Sequence, residues 1–447
     1  MNEQKSRTIS RREFMGGAAA AAMAFTFVPG SVMAQPPSNK LNIAGVGIGG
    51  MGQNNVRACR TENIVALCDV DWNYAGKVFK RYPKARKWKD FRKMLDEQKE
   101  IDAVIVATPD HLHTPVSMAA MRRGKHVYCQ KPLTRLVSEA RALTEAARKY
   151  KVATQMGNQG HSGNGVRNIC EWIWDGAIGE IREVHAWTNR PVWPQGIDRP
   201  KGEDPIPDTL DWGLWIGPAP MRPYKKGVYN PFSWRGWWDF GGGALADMAC
   251  HVLDPVFWAL KLKYAISVEA SCTSVNKETF PLASIVHFEY PAREGMPPVK
   301  IHWYDGGLKP EKPEALGQMQ IGQAASNVLF IGSKGVLRCG EYGDDPHLFP
   351  LDLMRSYKRP PQTLERIPHQ AHEQNWIRAC KGGEPACSNF DYSGPLTEMV
   401  VMGNLAIRPE NVGKRLEWDG ENMRVTNDEK ANDYVKMHYR EGWSLEM

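Results

Sequence analysis

Two groups of residues in this sequence have types and spacings that could do chemistry. The first is a glycine-rich run in which Gly45, Gly47 and Gly50 fit the pattern G-x-G-x-x-G, with Ile48 inside it. Such glycines allow a tight turn, bring backbone close to a pyrophosphate and let a helix pack on a strand. Asp69 follows the next apolar segment, 19 residues after Gly50, where an acid commonly holds ribose hydroxyls. Together they predict a dinucleotide site.

The acid also indicates which dinucleotide is bound. A carboxylate at this place favours NAD over NADP, because it would repel the 2′-phosphate of NADP. Asp71, two residues further on, is an alternative to Asp69 for this role.

The second group is Asp247 and His251, which follow three consecutive glycines. Residues spaced i,i+4 share one face of a helix, and a histidine with a pKa near 6.5 suits general acid–base chemistry. The same spacing also fits an ordinary surface pair. A metal site at Asp247 and His251, or at His111 and His113, lacks a third ligand at a recognisable spacing, so we expect no metal.

The elements that must position these residues begin as alternating β and α segments. Strands are predicted near 41–46 and at 64–68, 101–107, 126–129 and 152–156, and helices at about 50–60 and at 91–98, 114–123 and 138–150, the last with Ser138 as its N-cap. This order predicts a parallel sheet, whose ligands bind at the carboxyl ends of the strands. The residues near those ends are Gly47, Asp69, Thr108, Pro109, Asp110, His113, Gln130 and Asn158.

From residue 180 the predicted strands follow one another without intervening helices. They lie at 180–189, 265–275, 282–290, 299–304, 327–331 and 336–339, with a hairpin turn at 332–335. Such a run predicts an α+β domain on a largely antiparallel sheet.

Four motifs make the chain resemble the glucose–fructose oxidoreductase, inositol dehydrogenase and MocA (Gfo/Idh/MocA) family of NAD(P)-dependent oxidoreductases. They are the glycine turn, Ala107-Thr108-Pro109-Asp110-x-x-His113, Gln130-Lys131-Pro132 and the segment from Gly241 to His251. The resemblance implies an α/β Rossmann domain, followed by an α+β domain whose large, mostly antiparallel open sheet backs the site. It also implies that the protein is a homo-oligomer associated through that sheet.

The resemblance further implies roles for individual residues. Lys131 contacts substrate and nicotinamide, and Asp247 and His251 complete the catalytic group. Pro109, Asp110 and His113 line the cofactor cleft. In such a site a lysine ammonium stabilises the alkoxide that develops while hydride leaves the same carbon.

The tryptophans are the unusual feature of the composition. Nine of the 16 lie between residues 172 and 238. Aromatic rings dominate cores, and flat rings also suit the C–H faces of sugars. We expect Trp172 and Trp174 to pack in the core, and some of Trp234, Arg235, Trp237 and Trp238 to line a sugar pocket.

The N-terminus carries the features of an export signal. Arg11-Arg12 precedes an uncharged run from Gly16 to Val28, and Val32-Met33-Ala34 offers a cleavage site. The paired arginines match the twin-arginine pattern, which predicts export of a folded protein, periplasmic or otherwise, with its cofactor already in place.

Composition excludes other classes. A net charge of +7 over 447 residues, with basic and acidic residues mixed, predicts no nucleic-acid binding, and beyond the N-terminus no apolar run is long enough for an integral membrane domain. The nine cysteines lack CxxC spacing and fit buried thiols better than disulfides, with Cys380 and Cys387 as the only close pair.

The expected organisation is a signal at 1–34, an NAD-binding Rossmann domain at 35–157, a substrate and oligomerisation domain at 158–420 and a tail at 421–447.

The expected function is oxidation of a secondary hydroxyl of a sugar or glycoside with tightly bound NAD. In this function the residues that contact the substrate are Lys131, Trp234, Arg235, Asp247 and His251. One alternative is a redox-neutral glycosidase or lyase that uses transient oxidation. The other is a sugar-binding protein without catalysis, suggested by Gln130.

Gln130 stands where the family usually has glutamate. It can still bond a ribose hydroxyl, but it places no negative charge beside Lys131, and a missing counter-charge disfavours the protonated amine. We predict that Gln130→Glu raises the pKa that governs activity in a pH–rate profile. An unchanged profile would contradict this prediction.

Overall fold

The computed structural model describes residues 40–321 and 325–446. The predicted signal at 1–34 lies outside these residues. Among the described helices, none combines the length and the apolar character needed to cross a bilayer.

The first sheet contains six parallel strands in the order β3-β2-β1-β4-β5-β6. The strands are β1 (Asn42–Val46), β2 (Asn63–Cys68), β3 (Arg86–Trp88), β4 (Ala103–Val106), β5 (His126–Cys129) and β6 (Thr154–Met156). All four residues of β4 are buried, as in a sheet covered on both faces. The strand order reverses between β1 and β4, and ligands of open α/β sheets bind at such a reversal. The predicted Rossmann architecture is confirmed.

Helices connect these strands, and two of them begin earlier than predicted. The helices of this half are α1 (Gly52–Ala58), α2 (Gly76–Arg81), α3 (Phe91–Glu97), α4 (Asp110–Arg122), α5 (Val137–Tyr150) and α6 (Asn164–Trp174). The predicted start of α4 at Thr114 was wrong, because the turn after β4 enters the helix directly at Asp110. Ser138 does not cap α5. Instead the Glu139 carboxylate accepts the backbone N–H groups of Arg135 and Leu136.

The second sheet contains nine strands in the order β13-β12-β11-β7-β10-β9-β8-β14-β15. They are β7 (Ile181–Thr188), β8 (Ser267–Cys272), β9 (Ser284–Tyr290), β10 (Val299–Tyr304), β11 (Ser326–Gly332), β12 (Gly335–Gly340), β13 (His347–Phe349), β14 (Leu416–Asp419) and β15 (Arg424–Val425). Only the pairing of β7 with β10 is parallel among these strands. The predicted large, mostly antiparallel sheet is therefore confirmed.

One face of the second sheet is covered by helices. The remaining helices are α7 (Trp212–Ile216), α8 (Gly243–Val252), α9 (Asp254–Ala259), α10 (Leu351–Ser356), α11 (His372–Cys380) and α12 (Phe390–Ile407). α8 packs on β7 and β11, and α12 packs on β8 and β9. Buried and partly exposed residues alternate along β9, as expected for a strand with one covered face.

The two sheets share a core. α12 also packs on α5 of the first half, where a Cβ on Gly394 would lie 1.9 Å from Thr144 Oγ1. α8, which carries Asp247 and His251, packs on α12 and so lies close to the parallel sheet. The tail returns to the first half as well, where the ring of Trp443 lies 6.1 Å from that of Phe91.

Candidate active site

A cleft with ≈ 1370 Å³ of empty space, its open mouth included, lies at the carboxyl ends of the parallel strands. Eleven of the predicted site residues line it: Gly47, Gly50, Asp69, Thr108, Pro109, Asp110, His113, Gln130, Lys131, Trp234 and Arg235. Five predicted residues are not among its lining: Gly45, Ile48, Asn158, Asp247 and His251. Asp247 is nevertheless bonded to two of the lining side chains.

The glycine turn lies two residues later than predicted. Gly45 is inside β1, and the turn begins at Gly47, whose φ is +77° and whose absent Cβ would lie 2.6 Å from the Thr108 nitrogen. A Cβ on Gly52 would lie 2.3 Å from the Gly47 carbonyl oxygen, so Gly52 lets α1 pack against the turn. The pattern therefore starts at Gly47 and continues through Gly49 to Gly52. The sequence contained this second match.

Asp69 directly follows β2 and faces the glycine turn. Its carboxylate accepts the backbone N–H groups of Gly49 (3.0 Å) and Asp71 (3.0 Å). Burial raises the pKa of Asp69 to about 6, although these N–H groups oppose that rise. Asp71 accepts instead from the N–H groups of Asn73 and Tyr74 and so stabilises its own turn. Between the two acids, Asp69 is the one that meets the turn.

Lys131, just after β5, forms an ion pair with Asp247 of α8. The Lys131 ammonium donates to Asp247 Oδ1 (2.9 Å) and to the Asp247 carbonyl oxygen (2.6 Å). Arg235 donates to the same carboxylate (3.2 Å), and Arg190 Nε lies 3.8 Å away. Burial acts to raise the pKa of Asp247, but Lys131 and Arg235 outweigh it and lower the value to about 2. Arg190 was missed from the sequence, because it follows a strand of the other sheet and belongs to none of the motifs.

His251 lies one helical turn after Asp247 and is buried. Its Nδ1 has no hydrogen-bond partner in the structure, and its ring packs edge-on against Tyr342, 4.9 Å away. Burial lowers the pKa of His251 to about 3, and Lys131 adds to this shift. The expectation of a pKa near 6.5 is therefore not met, because the side chain is shielded from water. The imidazole is neutral at pH 7.

Gln130 does not point at Lys131. Its Nε2 donates to Asn55 Oδ1 (3.0 Å), and the carboxylate next to Lys131 is that of Asp247. The missing counter-charge expected from the sequence is thus not observed, because Asp247 supplies Lys131 with an anionic partner although position 130 is glutamine.

The two histidines of α4 are held by backbone carbonyls. His113 contacts the carbonyl oxygens of Pro132 (2.7 Å) and Thr108 (2.9 Å), and His111 contacts those of Phe240 and Trp215. Both ring nitrogens of each histidine are thus engaged. These residues connect the first half to the loop before α8.

Some buried polar atoms near the cleft lack partners within the described residues. Thr108 Oγ1 lies in the cleft wall, and Asn158 Nδ2 lies at the end of β6, where Asn158 Oδ1 accepts from Ser388 (2.6 Å). Unpaired buried polar atoms are costly. Thr108 Oγ1, which can donate or accept, therefore fits a cleft that bonds a polar ligand, whereas Asn158 Nδ2 can only donate and lies outside the cleft lining.

The tryptophan-rich region divides between packing and the cleft. Trp234 lines the cleft, and the Arg235 guanidinium lies 4.2 Å from its ring. Trp237 is fully buried in an aromatic cluster, and Trp238 packs on Phe280. Trp172 is buried as expected. Trp174 is 37% exposed, so its prediction as a core residue was wrong.

Residues distant in sequence cover the end of the cleft near Asp69. Leu214 and Trp215 of α7 and Trp443 of the tail line it there, together with Phe91. The Arg92 guanidinium lies 4.8 Å from the Trp443 ring and holds it in place. Tyr74 covers the turn itself, since its ring lies 2.1 Å from where a Cβ on Gly49 would be. None of these contacts has a local sequence signal.

Two family models match the chain. Residues 41–158 match an oxidoreductase family described as having an NAD-binding Rossmann fold, and residues 181–294 match the C-terminal alpha/beta domain of the same oxidoreductase family.

Two curated relatives illustrate the chemistry found among similar proteins. Levoglucosan dehydrogenase of Pseudarthrobacter phenanthrenivorans is 28% identical over 189 residues, which cover 42% of this chain and 40% of the relative. The 2,7-anhydro-N-acetylneuraminate hydratase of Escherichia coli is 33% identical over 105 residues, which cover 24% of this chain and 28% of the relative. The chain thus spans less than half the length of either.

A solved structure shares the fold over a longer span. It is the WlbA dehydrogenase of Bordetella pertussis in complex with NADH and UDP-GlcNAcA, with a TM-score of 0.60 and 17% identity. The match covers 85% of this chain and 99% of that one.

The Lys131–Asp247 pair yields a prediction about stability. Removing one partner of a buried pair leaves an uncompensated charge, so Asp247→Asn is expected to lower the free energy of unfolding by about 3–5 kcal/mol at pH 7. The folded-state pKa of about 2 lies below the ordinary ~3.9, so the ionised carboxylate stabilises the fold above pH ~4, and this contribution is lost as the pH falls through about 2. Urea unfolding should therefore show that the difference in free energy of unfolding between wild type and Asp247→Asn shrinks at low pH.

Glu180→Gln, in an exposed pair with Arg182, is the control and should change the free energy of unfolding little. An equally small effect of Asp247→Asn at pH 7 would refute the prediction.

Proposed function

The chain belongs to the Gfo/Idh/MocA family of oxidoreductases, and from this premise we propose that it is an NAD-dependent dehydrogenase that oxidises a secondary hydroxyl of a sugar or glycoside. The observation that carries the proposal is the ion pair of Lys131 with Asp247, placed in a cleft that also contains the glycine turn and Asp69. One side of the cleft is thus suited to a dinucleotide, and the other to a reacting hydroxyl.

The residues present fit NAD. The turn at Gly47 leaves room for a pyrophosphate, and Asp69 supplies a carboxylate to the adenosine ribose and disfavours a 2′-phosphate. Thr108 Oγ1 lies in the cleft wall without a partner within the described residues and can bond the cofactor. When bound, NAD accepts the hydride from the carbon that is oxidised.

The chain's own residues then act on the hydroxyl. The Lys131 ammonium, held by Asp247, donates a hydrogen bond to the hydroxyl oxygen and stabilises the negative charge that develops there. We assign the role of accepting the hydroxyl proton to His251, whose Nδ1 has no hydrogen-bond partner within the described residues. Arg235 and Trp234 offer the substrate a charged group and a flat apolar ring.

The cover over the cleft supports tight retention of the cofactor. Because Trp215 and Trp443 lie over the end near Asp69, the adenosine portion would be enclosed by residues from three separate parts of the chain. Retention is also consistent with export, which we propose on the paired arginines at 11 and 12. An exported enzyme would need to keep its cofactor and recycle it in place. We further propose that copies of the chain associate through the second sheet.

A second candidate function is a redox-neutral glycosidase or lyase, and the relative named as a hydratase favours such redox-neutral chemistry. Transient oxidation next to a ring C–H would acidify that hydrogen and permit elimination. Such an enzyme would use the same Lys131 and His251, and it would release no net NADH.

The test begins with the cofactor. The purified full chain is denatured, and the released nucleotide is identified and quantified by chromatography. About one equivalent of NAD(H) per chain is expected.

The native protein is then given a panel of sugars and aryl glycosides while absorbance at the NADH band is followed. Reduction of bound cofactor by a sugar supports the dehydrogenase, and cleavage of a glycoside without net NADH supports the second candidate. Protein that neither carries nor binds NAD refutes both, and sugar binding that survives unchanged in Lys131→Ala without any turnover indicates a sugar-binding protein.

The cover yields a separate prediction. Trp443→Ala removes a ring that lines the end of the cleft near Asp69, so bound NAD should dissociate about tenfold faster, a loss of ~1.4 kcal/mol. Displacement by excess labelled NAD measures the rate. Trp174→Ala, an exposed tryptophan on α6, is the matched control and should leave the rate unchanged. Equal rates in wild type and Trp443→Ala would show that the tail does not retain the cofactor.

A further inference from the structure

Glu183, His185 and His302 form a cluster on the face of the second sheet that α8 and α12 leave uncovered. We propose that this cluster is a zinc site, held by two imidazoles and one carboxylate. The inference does not depend on the proposed function, because the cluster and the cleft lie on opposite faces of the sheet. α8, with Asp247 and His251, packs on the other face of β7.

The strand register places the ligands side by side. His185 on β7 is directly opposite His302 on β10, which is directly opposite His287 on β9. Glu183 lies two residues before His185 on the same strand and therefore on the same face. The three residues come from two parallel strands that are more than a hundred residues apart in sequence. For this reason the expectation of no metal, which rested on helical spacing, did not consider them.

The distances fit a tetrahedral ion. Glu183 Oε1 lies 3.2 Å from His185 Nε2 and 3.2 Å from His302 Nε2. All three ligand atoms lie within 4.8 Å of one another. Ligands about 2.0–2.1 Å from a tetrahedral zinc ion are about 3.3 Å apart, and both distances from Glu183 Oε1 match that spacing.

The other ring nitrogens are already held. His185 Nδ1 lies 3.1 Å from the Tyr304 hydroxyl, and His302 Nδ1 lies 2.6 Å from His287 Nδ1. Metal-bound histidines are commonly held in this way, with the second nitrogen bonded to a neighbour that orients the ring. With the protons on Nδ1, both Nε2 lone pairs face Glu183.

Charge and exposure also suit a cation. Lys300, the neighbour of Glu183 across the sheet, is paired with Glu289 (2.9 Å) and so does not neutralise the cluster. In the single chain the imidazoles are 15% exposed and the Glu183 side chain is 47% exposed, which leaves a fourth position for a further ligand.

The ligand types select the metal. Imidazole and carboxylate together suit zinc, while calcium and magnesium prefer oxygen ligands only. A site with three protein ligands and one open position is the arrangement found in zinc enzymes, in contrast to the closed sites of purely structural zinc.

The test uses the tag-free full chain and Zn²⁺ as the probe. After removal of metal with a chelator, zinc binding is measured by competition with a chromophoric indicator, and one equivalent per chain is expected. Cobalt should give the visible absorption of a tetrahedral site. Glu183→Gln and His302→Gln are each expected to weaken zinc binding at least 100-fold, and Tyr304→Phe about tenfold because it only orients His185.

His438→Gln removes an exposed histidine outside the cluster and is the control, with wild-type binding expected. Because Glu183 is half-exposed, its variant keeps the test valid even if His302→Gln fails to fold. Wild-type protein without saturable zinc binding, or a Glu183→Gln variant that binds as wild type does, would overturn the proposal.

Discussion

The ion pair of Lys131 with Asp247 connects the two halves of the described chain. Lys131 follows the last residues of a strand in the parallel sheet, whereas Asp247 belongs to a helix that packs on the second sheet. A buried pair is favourable only when its geometry is good and its remaining bonding capacity is filled, because both charges lose water. Arg235, Arg190 and the carbonyl of Asp247 itself meet that condition here. The shared core between α5 and α12 holds the two partners at this distance.

The same burial sets the charges of the site. Asp247 faces cations and is ionised, whereas burial raises the pKa of Asp69 to about 6 and that of Asp110 to about 7, the latter against the pull of Arg235 and Lys131. His251 is kept neutral. The Lys131 ammonium thus lines the cleft, and the neutral His251 imidazole is buried one helical turn after Asp247, the partner of Lys131. A fixed ammonium suits the stabilisation of a developing alkoxide.

The second sheet has two faces with different chemistry. Its covered face carries the helices that complete the cleft, and its open face carries a row of imidazoles with one carboxylate. Strand alternation separates the two, since neighbouring residues point to opposite faces. One sheet can therefore support a redox site and a proposed metal site without contact between them.

Local patterns in the sequence determined the fold class, the positions of most strands and eleven of the residues that line the cleft. They succeeded there because strand alternation, helix periodicity and glycine requirements act over a few residues. The glycine turn was placed two residues too early, since two overlapping matches to G-x-G-x-x-G exist and only the end of β1 distinguishes them.

The tertiary structure decided what depends on distant contacts: the low pKa of Asp247, the neutral His251, the cover formed by Trp443 and the grouping of Glu183 with His185 and His302. Each of these follows from burial or from side chains that meet across strands and helices far apart in sequence, and such contacts leave no periodic signal in the chain.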